Sequence, residues 1–136
     1  MSDNPGDDIQ IELCEPSDNA RVVYAARRLA ASLGFNVVNQ SLIATAASEL
    51  STNIIRYAGK GEVILRTVRD SNRTGIEIVA LDKGPGIGNI DRAMEEHFSS
   101  GNGLGLGLPS VRRIMDEFSI TSGPGQGTTI IARKWR

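Results

Sequence analysis

Hydrophobic positions along the chain follow two different periods, which predict the order of its helices and strands. Near the start, Ile9, Ile11 and Leu13 alternate with polar residues, as is typical of a strand. Apolar residues then recur at helical spacing up to Gly34, and again over about 39–58, so two helices are predicted in succession. The apolar seam of the second predicted helix is Ile43, Ala47, Leu50 and Ile54.

Two further apolar runs, 63–68 and 76–81, flank the polar segment 69–75. Runs of this length and composition are typical of strands, and a polar segment between them indicates a hairpin. The length of the polar segment predicts a long loop at the tip of that hairpin.

The last third of the chain predicts helices followed by a second strand pair. A short helix is predicted over 91–96, a longer one over 106–117, and strands over 118–121 and 128–134. Strands that bracket helices in this order indicate an α+β fold. We expect a two-layer α/β sandwich in which a mixed sheet carries its helices on one face.

The length and charge of the chain narrow the class of protein. Its 136 residues suit one domain, expected over 8–136 after a flexible tail at 1–7. The formal net charge of −1 gives no reason to expect binding to nucleic acid or to an anionic membrane. The sequence contains no apolar stretch near the ~20 residues of a membrane span and no hydrophobic signal core, so a cytoplasmic protein is expected.

The second predicted helix carries the most informative polar pair. Glu49 and Asn53 are four positions apart, so they project from the same side, next to the apolar seam. A carboxylate there could act as a general base, and an amide oxygen could bind a hard cation such as Mg²⁺. The alternative is a solvated helix flank.

A second group follows the strand 76–81, where Asp82 leads into Lys83-Gly84-Pro85-Gly86. An ionised carboxylate only accepts hydrogen bonds, so Asp82 would suit an exocyclic amine such as that of adenine. The adjacent glycines would let a flat ring approach the backbone. The alternative is a turn with a capping aspartate.

The third group is the glycine run at 101–108, which opens the predicted helix 106–117. Glycines before a helix N-terminus are typical of an anion site, because unpaired N–H groups and the helix dipole point at the ligand. The run is not a Walker A loop and contains no strict G-x-G-x-x-G, and the chain also lacks the His-Arg-Asp loop of protein kinases. A flexible hinge is the alternative.

The order of these parts is more specific than any one of them. Glu49 to Asn53 resembles the N box, Asp82 to Ile87 the G1 box, and Gly101 to Leu108 the G2 box of the GHKL ATP-binding family. The segment Gly127-Thr128-Thr129 resembles the closing motif of the same family. The resemblance covers nearly the whole chain. The family includes histidine kinases, gyrase-like ATPases and anti-sigma-factor kinases.

The resemblance implies a GHKL (Bergerat) fold that binds ATP with Mg²⁺. It implies that Asp82 and Thr128 contact adenine, that Asn53 ligates Mg²⁺, and that Glu49 takes the proton from a protein hydroxyl as it attacks the γ-phosphoryl group. The other implied ATP contacts are Gly84, Gly86, Ile87, Gly101, Gly103, Leu104, Gly105 and Gly107.

Within this family, the chain is similar to the small serine/threonine kinases of bacterial partner switching. No helical hairpin with a phosphoacceptor histidine precedes the N box, and His97 is interpreted as a surface or lid residue. The resemblance implies phosphorylation of STAS-domain scaffold proteins of a stressosome and, after release, activation of a PP2C-type phosphatase. Two alternatives stay open: an anti-sigma-factor kinase that binds a sigma factor directly, and a non-catalytic module gated by ATP.

Overall fold

The computed structural model describes residues 8–86, 94 and 107–136. The predicted tail at 1–7 and all but one residue of the predicted helix 91–96 lie outside these residues. The elements in the described part of the chain are β1 (Ile9–Leu13), α1 (Asp18–Ser32), α2 (Val37–Tyr57), β2 (Gly61–Asp70), β3 (Arg73–Asp82), α3 (Gly107–Ile114), β4 (Glu117–Ser122) and β5 (Thr128–Trp135).

The five strands form one sheet in the order β1-β2-β3-β5-β4. The α+β class and the single helical face are confirmed, but one detail differs from the expectation of a mixed sheet. Every neighbouring pair among the described strands is antiparallel. The reason is topological: β5 lies between β3 and β4 and is antiparallel to both, so β3 and β4 run in the same direction without being paired.

The β2–β3 hairpin is longer than predicted and its loop is shorter. Its pairing begins at Gly61 opposite Asp82 and continues to Asp70 opposite Arg73. Only Ser71 and Asn72 remain for the turn, and Ser71 has a positive φ of 55°. The composition of 69–75 predicts a loop, but most of these residues are cross-strand partners in the hairpin.

The two long helices pack on one face of the sheet through the predicted seam. Ile43, Ala47, Leu50 and Ile54 are all buried, and they join the inward side chains of the strands in a single core. Helix α2 begins where predicted to within two residues, because the Asn36 side chain accepts a 2.8 Å hydrogen bond from the Asn39 N–H. None of the helices in the described ranges is long and apolar enough to cross a bilayer.

The opposite face of the sheet carries a row of alternating charges. Arg66, Glu77, Arg133 and Glu117 are successive cross-strand partners, and Asp8, just before β1, lies 3.6 Å from Arg66 Nε. The Glu77 side chain is buried, and its two oxygens lie 3.3 Å from Arg66 Nη1 and 2.7 Å from Arg133 Nε. The hydrogen bond to Glu77 raises the pKa of Arg133 above its ordinary value. Among the residues that the structure describes, Glu77 is the one buried carboxylate, and arginines on the two neighbouring strands pair it from both sides.

Candidate functional site

Glu49 lies in the middle of α2, on the side that faces the start of α3. A methyl group built on Gly107, the first residue of α3, would lie 2.5 Å from Glu49 Oε1 and 3.1 Å from Glu49 Cβ. A side chain at position 107 would therefore require Glu49 to shift. The carboxylate is half-buried at the N-terminus of a helix, where the helix dipole stabilises negative charge.

Asn53 follows Glu49 by one turn, about 6 Å along the helix axis. Its side chain is half-buried. Neither Glu49 nor Asn53 has a side-chain hydrogen bond or ion pair with a residue that the structure describes, so both polar ends are available. In the described ranges, no three His, Cys, Asp or Glu side chains form a group that could hold a metal ion. An amide oxygen such as that of Asn53 suits Mg²⁺.

Asp82 is the last residue of β3, at the sheet end where the hairpin and β5 meet. Its Cα partners are Gly61 on β2 and Thr128 on β5. One carboxylate oxygen accepts a 2.9 Å hydrogen bond from the Gly84 N–H. This bond orients the side chain, and the second oxygen has no partner among the described residues. An ionised aspartate held in this way presents a fixed acceptor.

The loop after Asp82 is held between two other segments. A methyl group on Gly84 would lie 2.6 Å from the Cβ of Ala58, which caps α2. Gly86 has a φ of 81°, and a methyl group there would overlap the backbone carbonyl oxygen of Gly123. Two of the predicted binding glycines are therefore required by close packing, which is independent of any ligand.

Thr128 and Ser122 form a hydroxyl pair, of which the sequence predicted only Thr128 as a site residue. The two hydroxyl oxygens are 2.8 Å apart, and the Ser122 hydroxyl also donates to the Gly127 carbonyl oxygen at 2.9 Å. Because the Ser122 hydroxyl donates to that carbonyl, Thr128 is the donor in the pair, and the lone pairs of its oxygen remain acceptors. Ser122 lies at the end of a predicted strand pair, and no sequence motif distinguishes it from an ordinary turn residue.

Helix α2 connects the two parts of the candidate site. Ala58 at its end contacts the loop after Asp82, and Glu49 contacts the first residue of α3. These contacts lie about 13 Å apart along the helix at 1.5 Å per residue. That Asn53 and Asp82 face one common cleft stays a prediction. The predicted binding residues outside the described part of the chain are Ile87, Gly101, Gly103, Leu104 and Gly105.

Comparisons with known proteins show the family of the chain, independently of the site geometry. Residues 38–135 match the family described as histidine kinase-, DNA gyrase B-, and HSP90-like ATPase. The chain is 51% identical over 117 residues to "Serine/threonine-protein kinase RsbT" of Bacillus subtilis, which covers 83% of this chain and 88% of the relative. It is 33% identical over 142 residues to an "Anti-sigma F factor" of Clostridium beijerinckii, covering 98% and 96% of the two chains.

Solved structures support the same fold. The histidine kinase domain of a blue-light activated kinase from Erythrobacter litoralis has a TM-score of 0.52 at 22% identity, over 88% of this chain and 59% of that one. The SiaB–SiaC complex from Pseudomonas aeruginosa has a TM-score of 0.57 at 13% identity, over 94% and 89% of the chains. At such low identity, both comparisons concern the fold alone.

Proposed function

The chain belongs to the histidine kinase-, DNA gyrase B- and HSP90-like ATPase family, and we propose that it is a serine/threonine protein kinase that uses Mg-ATP. The observation that supports this most directly is the placement of Glu49. Its half-buried carboxylate has no hydrogen-bond partner in the described ranges, faces the start of α3 and lies one turn from Asn53. A protein that only binds ATP has no need of a free carboxylate at this position.

In the proposed reaction, Glu49 accepts the proton of a serine or threonine hydroxyl on the partner protein. That hydroxyl oxygen forms a bond to the γ-phosphorus while the bond to the bridging β–γ oxygen breaks, and ADP is the leaving group. Phosphoryl transfer depends mainly on positioning and on stabilisation of negative charge. General-base assistance typically adds about 10²–10⁴-fold to the rate.

The described residues suit both ends of ATP. At the sheet end, the free oxygen of Asp82 would accept from the adenine amine, and Thr128 would contribute a second acceptor, which fits a base that carries an N–H₂ group. At the other end, Asn53 would ligate Mg²⁺, which neutralises charge on the phosphate oxygens when it is bound. Gly84 and Gly86 let the loop after Asp82 pack closely against Ala58 and Gly123, which would hold the backbone beside the adenine position.

We further propose that the partner is a STAS-domain protein and that the pathway is a partner-switching system of the stressosome type. The kinase would phosphorylate the STAS protein and, once released, activate a PP2C-type phosphatase in the cytoplasm. The similarity over 83% of the chain to a relative named as a serine/threonine-protein kinase supports this proposal. The anti-sigma F factor relatives favour a second candidate, a kinase that also binds a sigma factor directly.

Incubation of the purified protein with Mg²⁺, γ-labelled ATP and a purified STAS domain tests the proposed function. We expect label on a serine or threonine of the STAS domain, because Glu49 as the proposed base would accept the proton of such a hydroxyl. ATP binding without transfer would instead indicate a binding module, and steady release of phosphate without an acceptor would indicate a free ATPase. Stoichiometric binding of a sigma factor would favour the second candidate.

Asp82→Asn is expected to weaken ATP binding at least about tenfold, measured by calorimetry. The amide oxygen can still accept from the Gly84 N–H, so the loop keeps its shape. The side chain would, however, lose its charge and could turn an N–H toward the adenine amine. Hydrogen bonds to charged groups contribute about 1.5–3 kcal/mol, which corresponds to the expected loss.

Asp70→Asn is the matched control, since it removes a carboxylate at the opposite end of the same hairpin. Asp70 is exposed and pairs only with the neighbouring Arg73 in the described part of the chain. Its variant should bind ATP as the wild type does. Equal affinities for Asp82→Asn and wild type would show that Asp82 does not contact the base.

A further inference from the structure

The outer surface of the α1–α2 hairpin combines exposed apolar side chains with positive charge. Tyr24 on α1 is 63% exposed, and Val37, Val38 and Leu42 on α2 are 73%, 67% and 36% exposed. These are four of the five large hydrophobic residues that are exposed in the described part of the chain. Large apolar side chains left exposed on two adjoining helices mark an interaction site more often than apolar residues scattered singly do.

The arginines of the hairpin belong to the same surface. Arg28 Nη1 donates to Tyr24 Oη at 3.2 Å, with the guanidinium 5.7 Å from the ring centre. Arg27 joins the two helices by donating to Ser41 Oγ at 3.3 Å, and Ser41 lies between Val38 and Leu42 in the sequence of α2. The hairpin surface is defined here as Tyr24, Arg27, Arg28, Val37, Val38 and Leu42.

The charge of the α1–α2 hairpin is mainly positive. Residues 19–48 contain three arginines and no aspartate, glutamate or lysine, whereas the whole chain has a net charge of −1. Arg21 pairs at 3.0 Å with Asp18, just outside this range, so Arg27 and Arg28 carry the positive charge that no carboxylate of the described residues pairs. The C-terminal Arg136 adds to it, because its side chain lies against Gly34 in the α1–α2 connection, with Cδ 3.2 Å from the position of a built Cβ. A partner with acidic groups around an apolar centre would complement such a surface.

We propose that the hairpin surface docks an acidic protein surface of the phosphoacceptor, and this inference rests on the proposed kinase function. Leu42 precedes Glu49 by seven residues of α2, about 10 Å along the helix, so a protein docked here borders the catalytic carboxylate. A second copy of this chain is a poorer occupant, because a two-fold contact would bring like charges together. Tyrosine and arginine are also the residues that most often dominate binding energy at interfaces.

The test measures binding of a purified STAS domain to the full chain, separately from phosphoryl transfer. Arg28→Glu is expected to raise the Kd about tenfold at low salt, and the difference from wild type should shrink as the ionic strength rises toward about 1 M. Val38→Ser is expected to raise the Kd about fivefold at every salt concentration, because it removes an apolar contact rather than a charge. Both side chains are exposed, so ATP affinity and melting temperature should remain those of the wild type.

Arg73→Glu is the matched control, with the same change of charge at the β2–β3 turn. Its side chain is 49% exposed.

Equal Kd values for Arg28→Glu, Arg73→Glu and wild type would overturn the docking proposal while leaving the kinase function intact. Binding that depends on Arg28 without any transfer would overturn the kinase function and keep the docking surface. The docking assignment would be overturned if the chain failed to bind the STAS domain at all. It would also be overturned if sedimentation showed dimers of this chain that Arg28→Glu dissociates.

Discussion

Glu49→Gln is expected to reduce the rate of phosphoryl transfer by roughly 10²–10⁴-fold while ATP affinity stays within about twofold of wild type. The glutamine side chain has nearly the same shape as that of glutamate. It therefore fits in the space beside Gly107 that Glu49 occupies. The amide cannot accept the proton of the attacking hydroxyl. Single-turnover transfer to the STAS domain, with ATP binding followed by calorimetry, separates these two effects.

Glu12→Gln is the control for this experiment, since it removes an exposed carboxylate from the edge strand β1. It should transfer phosphate at the wild-type rate. A Glu49→Gln protein that also transfers at that rate would show that Glu49 is not the base. A loss of ATP affinity equal to the loss of rate would show that Glu49 binds the nucleotide rather than assisting the chemical step.

Periodicity predicted most of the fold. The alternating strand 9–13 and the helical seam of Ile43, Leu50 and Ile54 are confirmed because burial alone determines those patterns. The predicted helix 106–117 is shorter in the structure, where it ends at Ile114. Met115 is buried and Glu117 already pairs with Arg133 in the sheet, so tertiary pairing overrides local helix preference at this end.

The order of the strands in the sheet could not be predicted from the sequence, because it depends on pairings between residues that are distant along the chain. The insertion of β5 between β3 and β4 is what makes every neighbouring pair antiparallel. The same limit applies to the charged row centred on Glu77. Arg66 and Arg133 come next to it only because the two ladders share one register. No local pattern connects residues 66, 77 and 133.

Motif order identified the residue types of the candidate site, but not their contacts. A glycine in a binding motif was expected at position 107 because phosphates approach the backbone, whereas the structure shows that the Glu49 carboxylate occupies the space beside it. The pairing of Ser122 with Thr128 likewise joins two ends of a hairpin and has no signal in the sequence. The roles of the site residues stay predictions from the resemblance, whereas the packing reasons for Gly84, Gly86 and Gly107 come only from the structure.

Gly86→Ala is expected to lower the free energy of unfolding by about 2–5 kcal/mol and to weaken ATP binding strongly. The residue has a φ of 81°, a conformation that costs an L-residue about 1–2 kcal/mol. Its new methyl group would also overlap the Gly123 carbonyl oxygen, and overpacking of this kind costs about 1–3 kcal/mol. Because the clash involves backbone on both sides, the loop after Asp82 must move away from the turn at 123–127.

Gly125→Ala separates these two contributions. Gly125 lies in the opposing turn with a similar φ of 75°, but a methyl group there meets nothing within 4 Å. Its variant should therefore show only the conformational cost of about 1–2 kcal/mol and should keep wild-type ATP affinity. Urea unfolding and calorimetry on both variants measure the difference. If Gly86→Ala and Gly125→Ala are equally stable and bind ATP equally well, then the contact between the two loops does not position the adenine end of the site.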